Sequence, residues 1–204
     1  MLYFMPKSNC EAPMRIKYNA PVVLTFAFAS LLVLVLSQTL LSSLTEAWFT
    51  VPGRGGFSAS RLRDWVCLLS HALGHAHWSH WVSNISLILL LGPILEETYG
   101  SSSLLLMLGM TAFVTGGLNV LFFSSGLLGA SGVVFMLILL ASFSNFSKGE
   151  IPLTFLLVLL LYLGKELYNA FASDVRNISV FAHLMGGLMG SLFGFFRVPR
   201  AGKI

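Results

Sequence analysis

The chain has few charged residues and few cysteines, and both shortages restrict what it can be. Only 10% of its 204 residues are charged, whereas 56% are hydrophobic and the mean hydropathy is +0.83. A soluble domain has about a quarter of its residues charged, so this composition predicts an integral membrane protein. Cys10 and Cys67 lie on opposite sides of the first apolar stretch, which argues against a disulfide framework or a zinc knuckle.

Other features of partner-binding proteins are also missing. No basic run is interleaved with aromatic residues, so a nucleic-acid partner is not expected. Neither an internal repeat nor a low-complexity segment interrupts the chain, which predicts one domain. We expect a cytoplasmic N-terminal segment over 1–20, a membrane domain over 21–197 and a cytoplasmic C-terminal tail over 198–204.

Long apolar segments dominate the sequence instead. A helix that crosses the hydrocarbon needs about 20 apolar residues. The first segment is longer than the apolar core of a signal peptide and is expected to remain as a membrane helix. The stretch from Thr45 to Ser79 mixes aromatic and basic residues, which is typical of a loop in the membrane interface. The sequence therefore predicts an all-α membrane protein of six spanning helices with a long interfacial first loop. The predicted spans are 21–44, 80–96, 103–122, 127–146, 152–170 and 177–196.

Basic residues near the span ends predict the orientation of the bundle. Lysine and arginine are more frequent on the cytoplasmic side, and an even number of spans puts both termini on one side. The residues on the side of the termini are Lys7, Arg15, Lys17, Lys148, Arg197, Arg200 and Lys203, against Arg54, Arg61, Arg63 and Arg176 on the other side, with Lys165 inside the fifth span. This distribution favours a multi-pass protein with both termini cytoplasmic, and we expect its location to be the cell (inner) membrane.

Polar residues in the spans are few and concentrated at one depth. Asn84, Ser131 and His183 each fall near the start of a span that runs from outside to inside. A rise of about 1.5 Å per residue places all three roughly 5–10 Å below the outer surface. His80 lies four residues before Asn84 and shares its helix face. The remaining histidines of the first loop are His71, His75 and His77.

These residue types predict acyl-transfer chemistry. A serine hydroxyl becomes nucleophilic when a base takes its proton, and His183 is the candidate base for Ser131. Asn84, His80 and the backbone N–H of Ser131 can donate to an oxyanion. Gly129 and Gly132 flank the serine and let the backbone approach closely. The outer third of the spans holds no carboxylate to orient the histidine, so a dyad is expected rather than a triad.

Each of these features also has a purely structural interpretation. A Gly-x-Ser-Gly motif alone indicates close helix packing, and Gly186 with Gly190 predicts a packing seam against the Ser131 helix. Glu96 and Glu97 fall at the inner end of the second span and are interpreted as structural. The histidine cluster lacks the glutamate that a zinc protease needs, so no metal and no cofactor is predicted.

Taken together, the motifs resemble those of the rhomboid intramembrane serine proteases. The segment from His71 to Asn84 is similar to their second-helix signature. Gly129-Ala130-Ser131-Gly132 resembles their nucleophile motif, and Ala182-His183 followed by Gly186 resembles their last helix. The resemblance covers about 61–196. It implies the simplest, six-helix form of the family, which hydrolyses a peptide bond in or near a substrate's transmembrane segment without a cofactor.

The resemblance also implies roles for single residues. Ser131 would be the nucleophile and His183 the general base and acid, with His80 and Asn84 on the oxyanion side. The supporting residues would be His75, Gly129, Gly132, Phe135 and Gly186, with Glu96 and Gly100 structural. Phe135 stands where the family often has a tyrosine stacked on the dyad histidine. The Trp-Arg pair that often precedes the family's histidines is replaced here by Trp65-Val66.

Two other functions fit parts of the pattern. A rhomboid-like chaperone or adaptor would bind client transmembrane helices without cutting them, but such proteins usually lack the serine, the histidine or both. A transporter or metal permease would place polar residues through the whole membrane depth, whereas here they cluster near one side. The expected partners are transmembrane protein substrates and membrane lipid.

Overall fold

The computed structural model describes residues 16–143 and 178–196, together with six single positions between 153 and 164. Several predictions fall outside the described residues. These are most of the fifth span over 152–170 with Lys165, the end of the fourth span over 144–146, residues 1–15, the tail over 198–204, Lys148, Arg176 and Arg197.

The described chain is helical, and loops join its helices. The only bridge between extended residues in the described ranges pairs Val51 with Leu127. A short 3₁₀ turn, His71–Leu73, follows the third helix. The α-helices, numbered in chain order, are α1 (Pro21–Thr39), α2 (Leu44–Trp48), α3 (Leu62–Ser70), α4 (Trp78–Tyr99), α5 (Ser101–Phe122), α6 (Ser131–Phe143) and α7 (Ile178–Phe196).

Three of these helices, α1, α4 and α5, are long and apolar enough to cross a membrane. Ser131–Phe143 and Val180–Phe196 are apolar but shorter within the described ranges. Five of the six predicted spans therefore coincide with apolar helices, and the count of six stays a prediction.

The first span is shorter than predicted. Helix α1 ends at Thr39 rather than Leu44, because the chain turns at 40–43 and continues as α2. The predicted interfacial loop is also not irregular throughout. Helix α3 buries Asp64, Cys67 and Leu68 on one face and leaves apolar side chains exposed on the other, as an amphipathic interfacial helix does.

Helix α6 forms the centre of the bundle. Each of its residues over 132–140 is buried, so this helix is apolar on all sides, as a central helix must be. Its most extensive contact is with α7, and it also packs on α4 and α5. This position brings the start of α6 close to the starts of α4 and α7.

Glu96 has the structural role that the sequence indicated. Its buried carboxylate accepts hydrogen bonds from the N–H groups of Val22 and Val23, at 3.0 and 3.1 Å, and from the Ser101 hydroxyl at 2.7 Å. The first N–H groups of a helix have no partner inside the helix, so this carboxylate from α4 caps α1. Gly100, with φ of 83°, then reverses the chain directly into α5.

Candidate active site

One cavity of about 460 Å³ gathers the polar residues that the sequence singled out. It opens where α4, α6 and α7 begin, beside the segment that leads into α6. Four predicted site residues reach it from three different helices. The lining residues are Ala76, His80, Asn84, Gly126, Leu127, Leu128, Ser131 and His183.

Ser131 is the first residue of α6. It does not lie about one turn inside the helix, as the predicted span over 127–146 implied. The prediction that α6 begins near 127 was wrong because Leu127 pairs with Val51 in extended conformation. Residues 129 and 130 are buried, so the non-helical segment itself runs into the bundle. Ser131 therefore lies at the cavity although its helix begins later than expected, and its backbone N–H belongs to the unpaired first turn.

Gly129 is required by its conformation and by its neighbours. Its φ is 113°, and a Cβ there would lie 2.7 and 2.8 Å from Cε1 and Nε2 of His80 and 3.9 Å from Nδ2 of Asn84. Its N–H donates to the carbonyl of His71 at 2.9 Å. The backbone two residues before Ser131 thus lies directly against the histidine and the asparagine of α4.

The first loop holds this segment from the other side. Val51 and Leu127 exchange two backbone hydrogen bonds, at 2.9 and 3.0 Å. A Cβ on Gly53 would lie 2.0 Å from the carbonyl oxygen of Ser124, and one on Gly126 would lie 2.9 Å from Cγ2 of Thr50. The two loops therefore pack backbone to backbone along the edge of the cavity.

A buried carboxylate anchors the first loop in place of the missing Trp-Arg pair. Asp64 is fully buried and accepts from the Ser58 N–H at 2.8 Å and from Arg61 at 2.9 Å. The Trp65 indole N–H donates to the carbonyl of Ala59 at 3.0 Å. Asp64 was not among the residues predicted from the sequence, although a lone acid directly after two arginines, Arg61 and Arg63, was a signal for such an anchor.

His183 lies flat against an aromatic ring. The imidazole stacks on the ring of Phe135, with centroids 4.3 Å apart and planes 6° from parallel. Phe135 is one turn after Ser131 on α6, at the position where the resemblance indicated a ring stacked on the histidine. This contact fixes the plane of the imidazole beside the cavity. The Phe135 ring does so by stacking alone, because the phenylalanine side chain has no hydrogen-bonding group.

The glycines of α7 bring its backbone against α6. A Cβ on Gly186 would lie 2.0 Å from the carbonyl oxygen of Gly132, and one on Gly190 would lie 2.2 Å from that of Met136. A Cβ on Gly132 would in turn meet the carbonyl of Ala182 at 3.3 Å. The predicted packing seam is confirmed, and it fixes the spacing between the helices that carry Ser131 and His183.

Asn84 is held by His75. The Asn84 amide donates to Nε2 of His75 at 3.1 Å, so His75 carries its proton on Nδ1, which donates to the carbonyl of Leu73 at 3.2 Å. Burial, with a smaller contribution from the neighbouring His80, lowers the pKa of His75 to about 4. His75 is therefore neutral at pH 7 and fixes the orientation of the Asn84 amide, leaving its second N–H for the cavity.

The other two loop histidines have structural contacts. His71 is buried, and its Nε2 donates to the carbonyl of Ala112 at 3.1 Å. Burial lowers its pKa to about 4, the bond to Ala112 opposing the shift. His77 caps α4, since its Nδ1 accepts from the His80 N–H at 3.1 Å and from the Ser79 hydroxyl at 2.9 Å. Of the cluster of four, only His80 lines the cavity.

The arrangement combines a hydroxyl, an imidazole and two kinds of hydrogen-bond donor in one partly enclosed space. No carboxylate is among the described residues that line it. Sequence reasoning missed Ala76, Gly126, Leu127 and Leu128, which supply backbone and apolar surface and carry no chemical signature. Such a site can activate a hydroxyl and stabilise negative charge on a neighbouring oxygen.

A comparison with known families gives a match that contains this site. The family model described as Rhomboid domain matches residues 62–200, which is more than half of the chain. A search of curated proteins returned no match. The matched range includes α3 to α7 and all the polar residues that line the cavity.

Proposed function

The chain belongs to the rhomboid family of membrane-embedded proteins, and on that premise we propose that it is an intramembrane serine endopeptidase. It would cleave the transmembrane segments of other membrane proteins with a Ser131–His183 dyad. The observation that carries the proposal is the shared cavity of Ser131, His183, His80 and Asn84. A packing role for these residues would not require an open cavity between them.

In the proposed reaction, Oγ of Ser131 attacks the carbonyl carbon of the scissile peptide bond. His183 accepts the hydroxyl proton as the bond forms and then donates it to the leaving amine. Water next attacks the acyl-enzyme while His183 takes its proton, and His183 then returns that proton to Oγ of Ser131 as the acid is released. The stacked Phe135 ring supports this role because it holds the imidazole plane through both proton transfers.

Three donors would stabilise the oxyanion. The backbone N–H of Ser131 lies at the start of α6, where the helix dipole favours negative charge. The Asn84 amide offers the N–H that His75 does not use, and the ring of His80 lies against Gly129 on the same side. Donors that are fixed before the reaction cost no reorganisation when charge develops, and they supply a large part of the rate enhancement in acyl transfer.

The proposed orientation places the cavity at the outer side of the membrane. Helices α4, α6 and α7 begin at the cavity, while α1 begins and α4 ends at the opposite side. The excess of basic residues near the termini favours a cytoplasmic location for that opposite side. The protein would then cut its substrates near the outer leaflet of the cell membrane.

Cleavage by purified protein in liposomes tests the proposal. The substrate would be a single transmembrane helix with small residues in its outer half. We expect wild type to cut it and Ser131→Ala and His183→Ala to lose cleavage. Ser124→Ala, an exposed serine in the adjoining segment, should cut as wild type does. Binding without cleavage by wild type would instead identify a helix-binding chaperone or adaptor.

A further inference from the structure

A second, apolar cavity lies on the other side of the bundle. It has a volume of about 550 Å³ and separates the first half of α1 from α5, beneath the end of α3. A neighbouring cavity of about 630 Å³ continues it around α5, and both are lined by Leu69, Leu105 and Gly109. Neither shares a lining residue with the catalytic cavity. Together they form a continuous apolar groove, which we call the α1–α5 groove.

The length of this groove matches one leaflet of a bilayer. Along α5 the first of its two cavities extends from Ser101 to Ala112, a rise of roughly 16 Å at 1.5 Å per residue. Half of a hydrocarbon core is about 15 Å thick. The groove therefore spans the leaflet on the side where α1 begins, and an extended acyl chain fits along it.

The end of the groove at that side is polar. A cavity of about 490 Å³ adjoins it and is lined by Lys17, Asn19, Glu96 and Glu97, with Ser101 lining both cavities. Both oxygens of Glu96 are occupied by the cap of α1. Lys17 and Glu97 are exposed, and neither forms an ion pair within the described residues.

This combination points to one class of ligand. We propose that the α1–α5 groove binds a phospholipid with a primary-amine headgroup, such as a phosphatidylethanolamine. One acyl chain lies in the groove, Lys17 binds the phosphate and Glu97 binds the ammonium group. An acyl chain gains little by leaving the bilayer for an equally apolar protein surface. The headgroup contacts therefore decide which lipid is retained.

Two glycines of α5 provide a matched pair of variants. A Cβ on Gly109 or on Gly117 would meet no atom within 4 Å among the described residues, so a larger side chain fits at either position. Gly109 lines the groove and Gly117 does not. Gly109→Phe should fill the groove, whereas Gly117→Phe adds the same ring to the same helix outside it.

Native mass spectrometry of the full chain in detergent tests the proposal. Ethanolamine, choline and glycerol phospholipids with identical acyl chains are added in equal amounts. We expect the ethanolamine lipid to be retained about fivefold over the choline lipid, and Gly109→Phe to lose it by about the same factor. Gly117→Phe should retain it as wild type does.

The two charges are tested separately in the same experiment. Glu97→Gln should remove the preference for ethanolamine over choline. The Glu97 carboxylate would accept hydrogen bonds from the ammonium N–H groups of ethanolamine, and choline has no such N–H. Lys17→Gln should lower the retention of all three lipids. Equal retention of the three lipids by wild type, or equal retention by Gly109→Phe and Gly117→Phe, would overturn the proposal. Loss of a dimer rather than a lipid in Gly109→Phe would show that a second copy of the chain fills the groove.

Discussion

Two interfaces of the same apolar bundle use glycine in opposite ways. Between α6 and α7, a Cβ on Gly186 or Gly190 would lie 2.0 to 2.2 Å from a backbone oxygen. Between α1 and α5, a Cβ on Gly109 would meet no atom of the described residues within 4 Å. The first interface fixes the distance between the helices of the proposed dyad, and the second leaves a groove as long as a leaflet. The amino-acid composition of the helices does not distinguish the tight interface from the open one, because the role of a glycine depends on the helix that packs against it.

The largest effect is expected from a branched side chain in the tight seam. Gly186→Val would push α7 away from the carbonyl of Gly132, so we expect a loss of about 3 kcal/mol or more in stability. Thermal exposure of the Cys67 thiol to a fluorogenic maleimide reports unfolding, because Cys67 is fully buried. Replacing Cys10 by serine makes Cys67 the single thiol.

Gly117→Val is the matched control for that substitution, since its side chain meets nothing within 4 Å among the described residues. An unfolding temperature for Gly186→Val equal to that of Gly117→Val would break the distinction between a tight seam and an open surface.

The next effect concerns pH, because the bundle buries a neutral histidine, His71, between α5 and the segment before α6. The pKa of His71 is about 4 in the folded protein, against about 6.5 when unfolded. Between these values the unfolded chain binds the extra proton, so stability should fall as pH drops from about 6.5 to 4, by up to about 3 kcal/mol. Unfolding temperatures at pH 7 and pH 5 check this. His71→Gln should be less stable at pH 7 and less sensitive to pH, and an unchanged pH dependence would contradict the assignment.

A smaller effect is expected within the cavity. Asn84→Ala should lower kcat about 10²-fold through the loss of one oxyanion donor, with little change in KM. Ser83→Ala changes the exposed neighbour, whose hydroxyl donates to the carbonyl of Ser79, and should be neutral. Steady-state cleavage of a transmembrane substrate measures both. Equal rates for the two variants would remove Asn84 from the oxyanion role.

The smallest effect is expected in the open groove. Gly109→Ala adds a methyl group that meets no atom within 4 Å in the described part of the chain, and it removes a flexible residue from the middle of a helix. We expect it to stabilise the protein by at most about 1 kcal/mol. The maleimide assay used for Gly186→Val measures it, and a clear loss of stability would show that Gly109 is packed rather than open.

The apolar helices and the glycine seam could be predicted because they depend on local apolar runs and on short motifs. Gly186 and Gly190 lie one turn apart on α7, and both meet the backbone of α6. Phe135 lies one turn after Ser131 on α6 and stacks on His183 of α7, as the family resemblance indicated. The exact start of α6 could not be predicted, because it depends on pairing between Leu127 and Val51, 76 positions away in sequence.

The contacts made by the first loop could not be predicted from the sequence either. The bond between His75 and Asn84 requires the loop to fold back on α4, and four histidines of the same type gave no sign of their different partners. Helix α3 was missed because it is short and its exposed face is apolar, which obscures the usual contrast between a buried and a solvated face.

The proposed dyad requires Ser131 to be an activated nucleophile. A fluorophosphonate can show this, because it phosphonylates an activated serine and leaves ordinary serines unmodified. Purified protein is treated in detergent, and the modified residue is located by peptide mass spectrometry. We predict a single adduct on Ser131 in wild type, none on Ser124, and labelling reduced about 10²-fold or more in His183→Ala. Folded wild-type protein without an adduct, or equal labelling of wild type and His183→Ala, would contradict the proposed activation of Ser131 by His183.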